Sequence, residues 1–239
     1  MNKGVQAFKN EKYDEAICYF QQAIELDPSL LIAKSYLGVA IAQTIVPDLD
    51  TPENLKLAQQ SIDIFQEILK KDPHDVNSMK QIAGIDYSIK RLDEARIWQK
   101  RVLDEDPKDP EAAYTIGVID WQEAHMNVLK ILVPANLDDD GEGNLHVPGE
   151  LMDRIKAQNG ALVEEALVSL KQAVDNRPDY DDAMAYLNLV YRRKADLDWG
   201  NESAREEDMA KAIDWMNKAV ATRKANEEKI HAKSDSGKP

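Results

Sequence analysis

The stretch "YDEAICYFQQAIELDP", residues 13–28, decides the fold because it reads as one buried helix face followed by a stop. The small and apolar residues on this face are Ala16, Phe20, Ala23 and Ile24. Their spacings of three and four place them on one side of an amphipathic helix. Pro28 ends the helix, because proline lacks the amide hydrogen that a helix interior needs. The stretch therefore predicts a helix packed against a neighbour.

The same pattern occurs four more times along the chain. The matching segments span 58–73, 92–107, 163–178 and 209–224. The first three of these also end in proline, and a second helical segment follows each closing proline. These second helices, and a fifth helix of the same kind that precedes the first segment, carry a small residue at one fixed place, where two helices can then cross closely. The small residues are Gly4, Gly38, Ala83, Gly117 and Asn188. The sequence thus predicts an array of helix pairs.

This pattern resembles the tetratricopeptide repeat, in which a helix A and a helix B form a unit of 34 residues. Gly4 and Gly38 are 34 residues apart, and so are Pro73 and Pro107. The resemblance implies an all-α solenoid of antiparallel helix pairs, forming a single domain over residues 1–231. Its five repeats are predicted at about 1–28, 29–73, 74–107, 108–178 and 179–224.

Three repeats are longer than the unit, and each surplus falls at the turn between helix A and helix B. These insertions are predicted near 44–54, 125–160 and 196–208, so they should cluster on one edge of the array. Within the largest we expect a long helix A, a loop, a short helix near 149–158 and then helix B. Residues 232–239 have no apolar side chain beyond Ala232 and are predicted to be a disordered tail.

Composition excludes several classes of partner. The chain has 30 Lys and Arg against 44 Asp and Glu, a formal charge of −14. Phosphate binding needs a basic face, so we expect no nucleic-acid partner. No apolar run approaches the length of a membrane span. The single cysteine, Cys18, allows no disulfide within the chain.

Catalytic chemistry has no recognisable pattern here, so we predict neither an enzyme nor a cofactor. The four histidines, which show no metal-ligand spacing, are His74, His125, His146 and His231. No set of nucleophile, base and orienting group can be named.

The loop "NLDDDGEGNLHV", residues 136–147, opens like an EF-hand calcium loop. Its candidate ligands are Asp138, Asp140 and Asn144. An EF-hand also needs a bidentate Glu at the twelfth position, where this chain has Val147. The alternative, which we favour, is an acidic loop without a metal, in which Asp and Gly supply turns.

The resemblance implies that the A helices line a concave surface which binds a peptide. The predicted partner-binding residues are Tyr36, Lys80, Tyr87, Tyr114, Trp121, Tyr186, Arg192 and Arg193. Tyr and Trp are common binding anchors, and a basic pair at one end would take a carboxylate of the partner. The alternative is that the rings fill gaps between helices.

Two carboxylates, Asp86 and Asp120, occupy a column that holds packing residues in other repeats. A buried carboxylate needs a partner or water, because unpaired buried charge is costly. The pair is therefore either a structural ion pair with nearby residues or a polar pocket beside Tyr87 and Trp121.

The sequence predicts a non-catalytic module that binds a peptide or protein segment in the groove. The alternative is a structural assembly factor that self-associates or scaffolds a cell-envelope complex. Met1 begins inside the first helix without an N-cap, so we expect that upstream residues were removed. Related bacterial proteins occur on both sides of the inner membrane. The expected compartment is thus the cytoplasm, or the periplasm if a leader was removed.

Overall fold

A computed structural model describes residues 1–236, with side chains as far as Ala232. Over this range the chain forms ten α-helices and a short 3-10 turn at Val133–Ala135, without a strand. The helices are α1 Asn2–Lys9, α2 Tyr13–Leu26, α3 Leu31–Ala42, α4 Pro52–Leu69, α5 Val76–Ser88, α6 Leu92–Glu105, α7 Pro110–Leu132, α8 Gly149–Asn176, α9 Asp181–Leu197 and α10 Glu202–Ser236. The predicted all-α class of paired helices is confirmed.

The chain divides into two compact units at the boundary between the third and fourth predicted repeats. Residues 1–107 form the first unit, and the second begins at Lys108. In the first unit α1 to α6 pack in sequence, each on the next. In the second unit α7 packs on α8, α8 on α9, and α9 on α10.

The small residues of the A helices lie where the B helix comes closest. A Cβ atom on Gly4 would stand 2.6 Å from the Phe20 ring, and one on Gly38 would stand 2.7 Å from the Phe65 ring. Both rings are fully buried and fill the core of their helix pair. The glycine column predicted from the repeat therefore sets the distance between helix A and helix B.

Three of the helices begin at a residue whose side chain caps the helix. The side chains of Thr51, Asp75 and Asp109 accept hydrogen bonds from backbone amides in the first turns of α4, α5 and α7. Pro52 and Pro110 occupy the first helical position, where no amide hydrogen is needed.

The prediction of a short separate helix near 149–158 is wrong. Residues 149–176 form one helix, α8, whose buried side chains continue at helical spacing through Met152, Ile155 and Asn159. The Asn159 amide donates to the Ala124 carbonyl oxygen at 2.9 Å and so ties this helix to α7. Because the apolar face never breaks, the chain has no reason to turn before Gly160.

The end of the chain is helical further than the sequence indicated. Helix α10 runs to Ser236 and so enters the segment 232–239 for which disorder was predicted. The last part of that segment, 237–239, lies outside the described residues. Among the helices of residues 1–236, none is both long and apolar enough to cross a bilayer.

Candidate interaction surface

An aromatic row runs along the A helices of the second unit. Tyr114 and Trp121 on α7 both contact Tyr186 on α9, with ring centroids 5.7 and 5.4 Å apart. Both contacts are edge-to-face, at interplanar angles of 82°. All three rings are half-buried, so each packs against its neighbours and keeps an accessible part. The three predicted aromatic residues of this unit are thus brought together as one surface.

Two further rings, which the sequence reasoning missed, extend the row at its ends. Tyr180, just before α9, lies 4.9 Å from Tyr114 and carries the Arg177 guanidinium 4.4 Å above its ring. His125 stacks on Trp121 at 5.3 Å and 3°. His125 follows Trp121 by four residues, one helical turn, and that spacing was the signal which could have revealed it.

The basic pair does not form an open anion site. The Arg193 side chain is only 4% exposed, and its Nη2 atom donates to Asp139 Oδ1 at 2.9 Å. Its Nη1 atom is 3.1 Å from Asp196 Oδ2. Arg192 donates to the Gly141 carbonyl oxygen at 3.0 Å and to Asn188. The expectation that Arg193 would take a partner's carboxylate is therefore wrong, because carboxylates of the chain itself already hold it.

The acidic loop supplies one of those carboxylates and docks on the last helix pair. Asn144 is 1% exposed, and its amide donates to Asp139 at 3.1 Å and to Asp196 at 2.8 Å. The Arg205 Nη1 atom donates to the Glu142 carbonyl oxygen at 3.2 Å. Two of the predicted insertions therefore meet, one through this loop and one through the start of α10.

Glycine is required where the loop touches α10. Gly143 has a φ of +99°, and a Cβ atom there would stand 2.7 Å from the Arg205 side chain.

The three candidate metal ligands of the loop do not converge on one point. Asp140 accepts backbone amide bonds from Glu142 and Asn144, and the Asn144 amide nitrogen is used as a donor. Within residues 1–236 no group of acidic, His or Cys side chains is arranged to hold a metal ion.

Ionisation in this network is set by burial and by Arg193. Burial disfavours the charged form of Asp139, but its ion pair and hydrogen bond with Arg193, together with hydrogen bonds from Asn144 and the Gly141 amide, outweigh burial and lower its pKa. For Asp196 burial dominates, Arg193 offsets only part of it, and Asp139 adds repulsion, so the pKa rises to about 7. His125 Nδ1 is 3.6 Å from Asp139 Oδ2, which connects the network to the end of the aromatic row.

Stability should depend on pH through Asp196. A carboxyl group whose pKa is higher in the folded state binds its proton more tightly there than in the unfolded chain. The stability it contributes should therefore grow as the pH falls from about 7 toward 4, and be lost as the pH rises through 7. We expect Asp196→Asn, which cannot ionise, to show a weaker rise of the melting temperature between pH 8 and pH 5 than the wild type. Equal pH slopes for both proteins would contradict this assignment.

The predicted residues of the first unit lie on α3 and α5. The Tyr36 ring stacks on Phe20 at 5.3 Å and 20°, so much of it fills the helix pair. Lys80 lines a shallow hollow with Ile45 and Pro47 of the second repeat's insertion. Tyr87, further along α5, is half-buried.

Asp86 and Asp120, the two carboxylates at positions that hold packing residues in other repeats, are both buried. Asp86 is 3% exposed, with Arg91 Nη1 at 3.8 Å, and burial outweighs this cation and raises the Asp86 pKa to about 6. Asp120 is fully buried in α7. Their joint role as a polar pocket stays a prediction.

Comparison with known proteins supports the class of repeat. A tetratricopeptide-repeat model matches residues 1–30. A crystal structure of MamA is 12% identical, with a TM-score of 0.63 over 95% of this chain and 98% of that one. MamA from Desulfovibrio magneticus RS-1 is 15% identical, with a TM-score of 0.59 over 94% of this chain and 93% of that one. No curated protein sequence matches the chain.

The family model identifies the first predicted repeat as a tetratricopeptide repeat, and the helix pairs that follow it have the fold of the MamA structures. At such low identity the MamA structures establish the fold alone. Tetratricopeptide repeats are protein–protein interaction and scaffold modules and are typically non-catalytic, and that is the class of function which the match supports.

Proposed function

We propose that the chain is a non-catalytic module that binds an extended segment of a partner protein along the aromatic row of α7 and α9. The observation that carries this proposal is the continuous contact of Tyr114, Tyr186 and Trp121 on half-buried A-helix positions. Tyr and Trp offer large contact areas at a low cost in side-chain entropy, and they dominate many interfaces.

The spacing of the row indicates the conformation of the partner. Tyr114 and Trp121 are separated by seven residues of α7, a rise of about 10.5 Å. A polyproline II segment advances about 3.1 Å per residue and presents the same face every third residue, roughly every 9 Å. The edge-to-face rings on either side of Tyr186 would then receive two apolar or prolyl side chains three positions apart.

The acidic group that the sequence suggested for the partner is not part of this proposal. Asp139 already pairs with Arg193, and the Gly141 carbonyl oxygen already accepts from Arg192. The partner is therefore expected to be recognised by its apolar side chains and backbone rather than by charge.

A displayed library of random peptides tests the proposal without a known partner. Peptides selected on the wild type should be rich in apolar or prolyl pairs three residues apart. Trp121→Ala should weaken their binding by roughly 2 kcal/mol, about 30-fold in Kd, the loss typical of a central anchor. Calorimetric titration gives the affinity, and circular dichroism checks that the variant stays folded.

The matched control is Trp215→Ala on the B helix α10, whose ring lies under Lys218 and not in the row. This variant and Gln22→Ala on α2 should bind the selected peptides as the wild type does. Trp121→Phe keeps a ring at the anchor and should lose less than Trp121→Ala. Selected peptides that bind equally well to Trp121→Ala would show that the row is packing only.

A further inference from the structure

Helix α10 carries an apolar stripe that nothing else in the described part of the chain covers. Its members Ile213, Met216, Val220 and Ile230 are 47%, 41%, 67% and 66% exposed. With Arg223 and Glu227 between them, they recur at alternating spacings of three and four residues, the period of a helix that packs along a second helix.

Two earlier B helices, α4 and α8, bury residues at these positions. In the repeat alignment Ile213 and Val220 correspond to Ile62 and Leu69 of α4, which are 4% and 8% exposed where α5 follows. Leu167 of α8 corresponds to Ile213 and is 4% exposed where α9 follows. Helix α10 thus has the same apolar face that, in α4 and α8, the following helix covers.

The first helix of a second copy does not suit this face. The outward side chains of α1 include Lys3 and Gln6, and Asn10 follows at its end, all exposed and polar. Burying them against Val220 and Ile230 would leave polar groups without partners, which costs free energy. A head-to-tail contact between copies is therefore disfavoured.

The part of the stripe from Val220 to Ile230 is complementary to itself. When two α10 helices run antiparallel about a two-fold axis that passes level with Ala225, residue numbers that face each other sum to 450. Val220 then faces Ile230 of the second copy, and Arg223 faces its Glu227. Symmetry makes each contact twice, as in an isologous interface. In this register Val220, Arg223, Glu227 and Ile230 find suitable partners, and Ile213 and Met216 lie beyond this central contact.

Arg223 can keep its ion pairs within the chain and also contact Glu227 of the second copy. It donates through Nε to Asp181 at 2.6 Å and through Nη2 to Asp182 at 2.8 Å, which holds the side chain at the start of α9. Its Nη1 atom takes no part in these two bonds. The groove beside it, which Ala185, Ala219 and Val220 help to line, would receive the Ile230 side chain of the other copy.

We propose that two copies of this chain associate through an antiparallel α10 pair in this register. This α10 surface is where the chain would self-associate if it is the assembly factor that the sequence offered as the alternative. The surface shares no residue with the aromatic row. Its success or failure therefore says nothing about peptide binding, and the reverse also holds. A contact of only a few helical turns implies a weak dimer, with a Kd on the order of micromolar.

Sedimentation velocity over a series of concentrations, on the full chain, tests the association. The wild type should shift from monomer to dimer as its concentration passes through the micromolar range. Glu227→Arg places like charges opposite each other twice and should weaken the dimer at least tenfold. The matched control is Glu228→Arg, the same charge change one residue further on and off the stripe, and it should dimerise as the wild type does.

Disulfide formation tests the register, in a Cys18→Ser background that removes the exposed native thiol. A mixture of Val220→Cys and Ile230→Cys chains should form a cross-linked dimer, whereas each alone, or Val220→Cys mixed with Met216→Cys, should not. A wild type that stays monomeric at all concentrations would overturn the proposal. Equal effects of Glu227→Arg and Glu228→Arg, or cross-linking that ignores position, would overturn it as well.

Discussion

Replacing Arg193 with methionine is expected to lower the free energy of unfolding by about 3–5 kcal/mol, the cost of removing one partner from a buried ion pair. The guanidinium is 4% exposed and lies between the carboxylates of Asp139 and Asp196. Without it Asp196, which is fully buried, keeps only the Asn144 amide among the contacts described here, and Asp139 loses its cation. Urea unfolding followed by circular dichroism measures the loss.

The matched control is Arg192→Met, one residue earlier on α9. That guanidinium is half-buried and donates to neutral oxygens of Gly141 and Asn188, so its loss should cost about 1 kcal/mol. Removing all three charges together, with Arg193→Met, Asp139→Asn and Asp196→Asn, should recover most of the loss, since no buried charge then lacks a partner. Similar losses for Arg193→Met and Arg192→Met would show that the network does not hold the loop.

The network explains why the basic pair looked like an anion site in the sequence. Arg192 and Arg193 do bind carboxylate and carbonyl oxygens, but those oxygens come from the loop at 136–147 and from α9 of the same chain. Asp139 and Arg193 are 54 residues apart and the loop lies in an insertion, so repeat periodicity carries no information about their contact. Contacts of this kind depend on tertiary packing and are not visible in local spacing.

The positions of residues within the repeated helices could be predicted from the sequence, whereas the structure of the insertions could not. The phase of the repeat alone places Tyr114, Trp121 and Tyr186 on the inward face of successive A helices, and the structure shows that the Tyr114 and Trp121 rings both contact Tyr186. The insertion between α7 and α8 does not follow the 34-residue repeat, so the repeat predicts nothing about it. The short helix expected there is in fact the start of α8. Local spacing determines which face of a helix is buried, but not where a loop will dock.

Replacing Gly117 with valine is expected to destabilise the second unit by about 3 kcal/mol, near the upper end of what overpacking usually costs. A Cβ atom at Gly117 would stand 2.5 Å from Leu170 Cγ and 3.2 Å from the Ala166 carbonyl oxygen. The first contact is with a buried side chain and the second is with backbone, so α7 and α8 must separate. Thermal and urea unfolding measure the loss.

The same substitution at Gly160, on α8, serves as the control. A Cβ atom there meets no other atom within 4 Å, so Gly160→Val should stay within about 0.5 kcal/mol of the wild type. Equal losses at the two positions would mean that helix propensity, and not the close approach of α7 to α8, decides the effect. Because α7 also carries Tyr114 and Trp121, Gly117→Val should in addition weaken the binding of peptides selected on the wild type, whereas Gly160→Val should not.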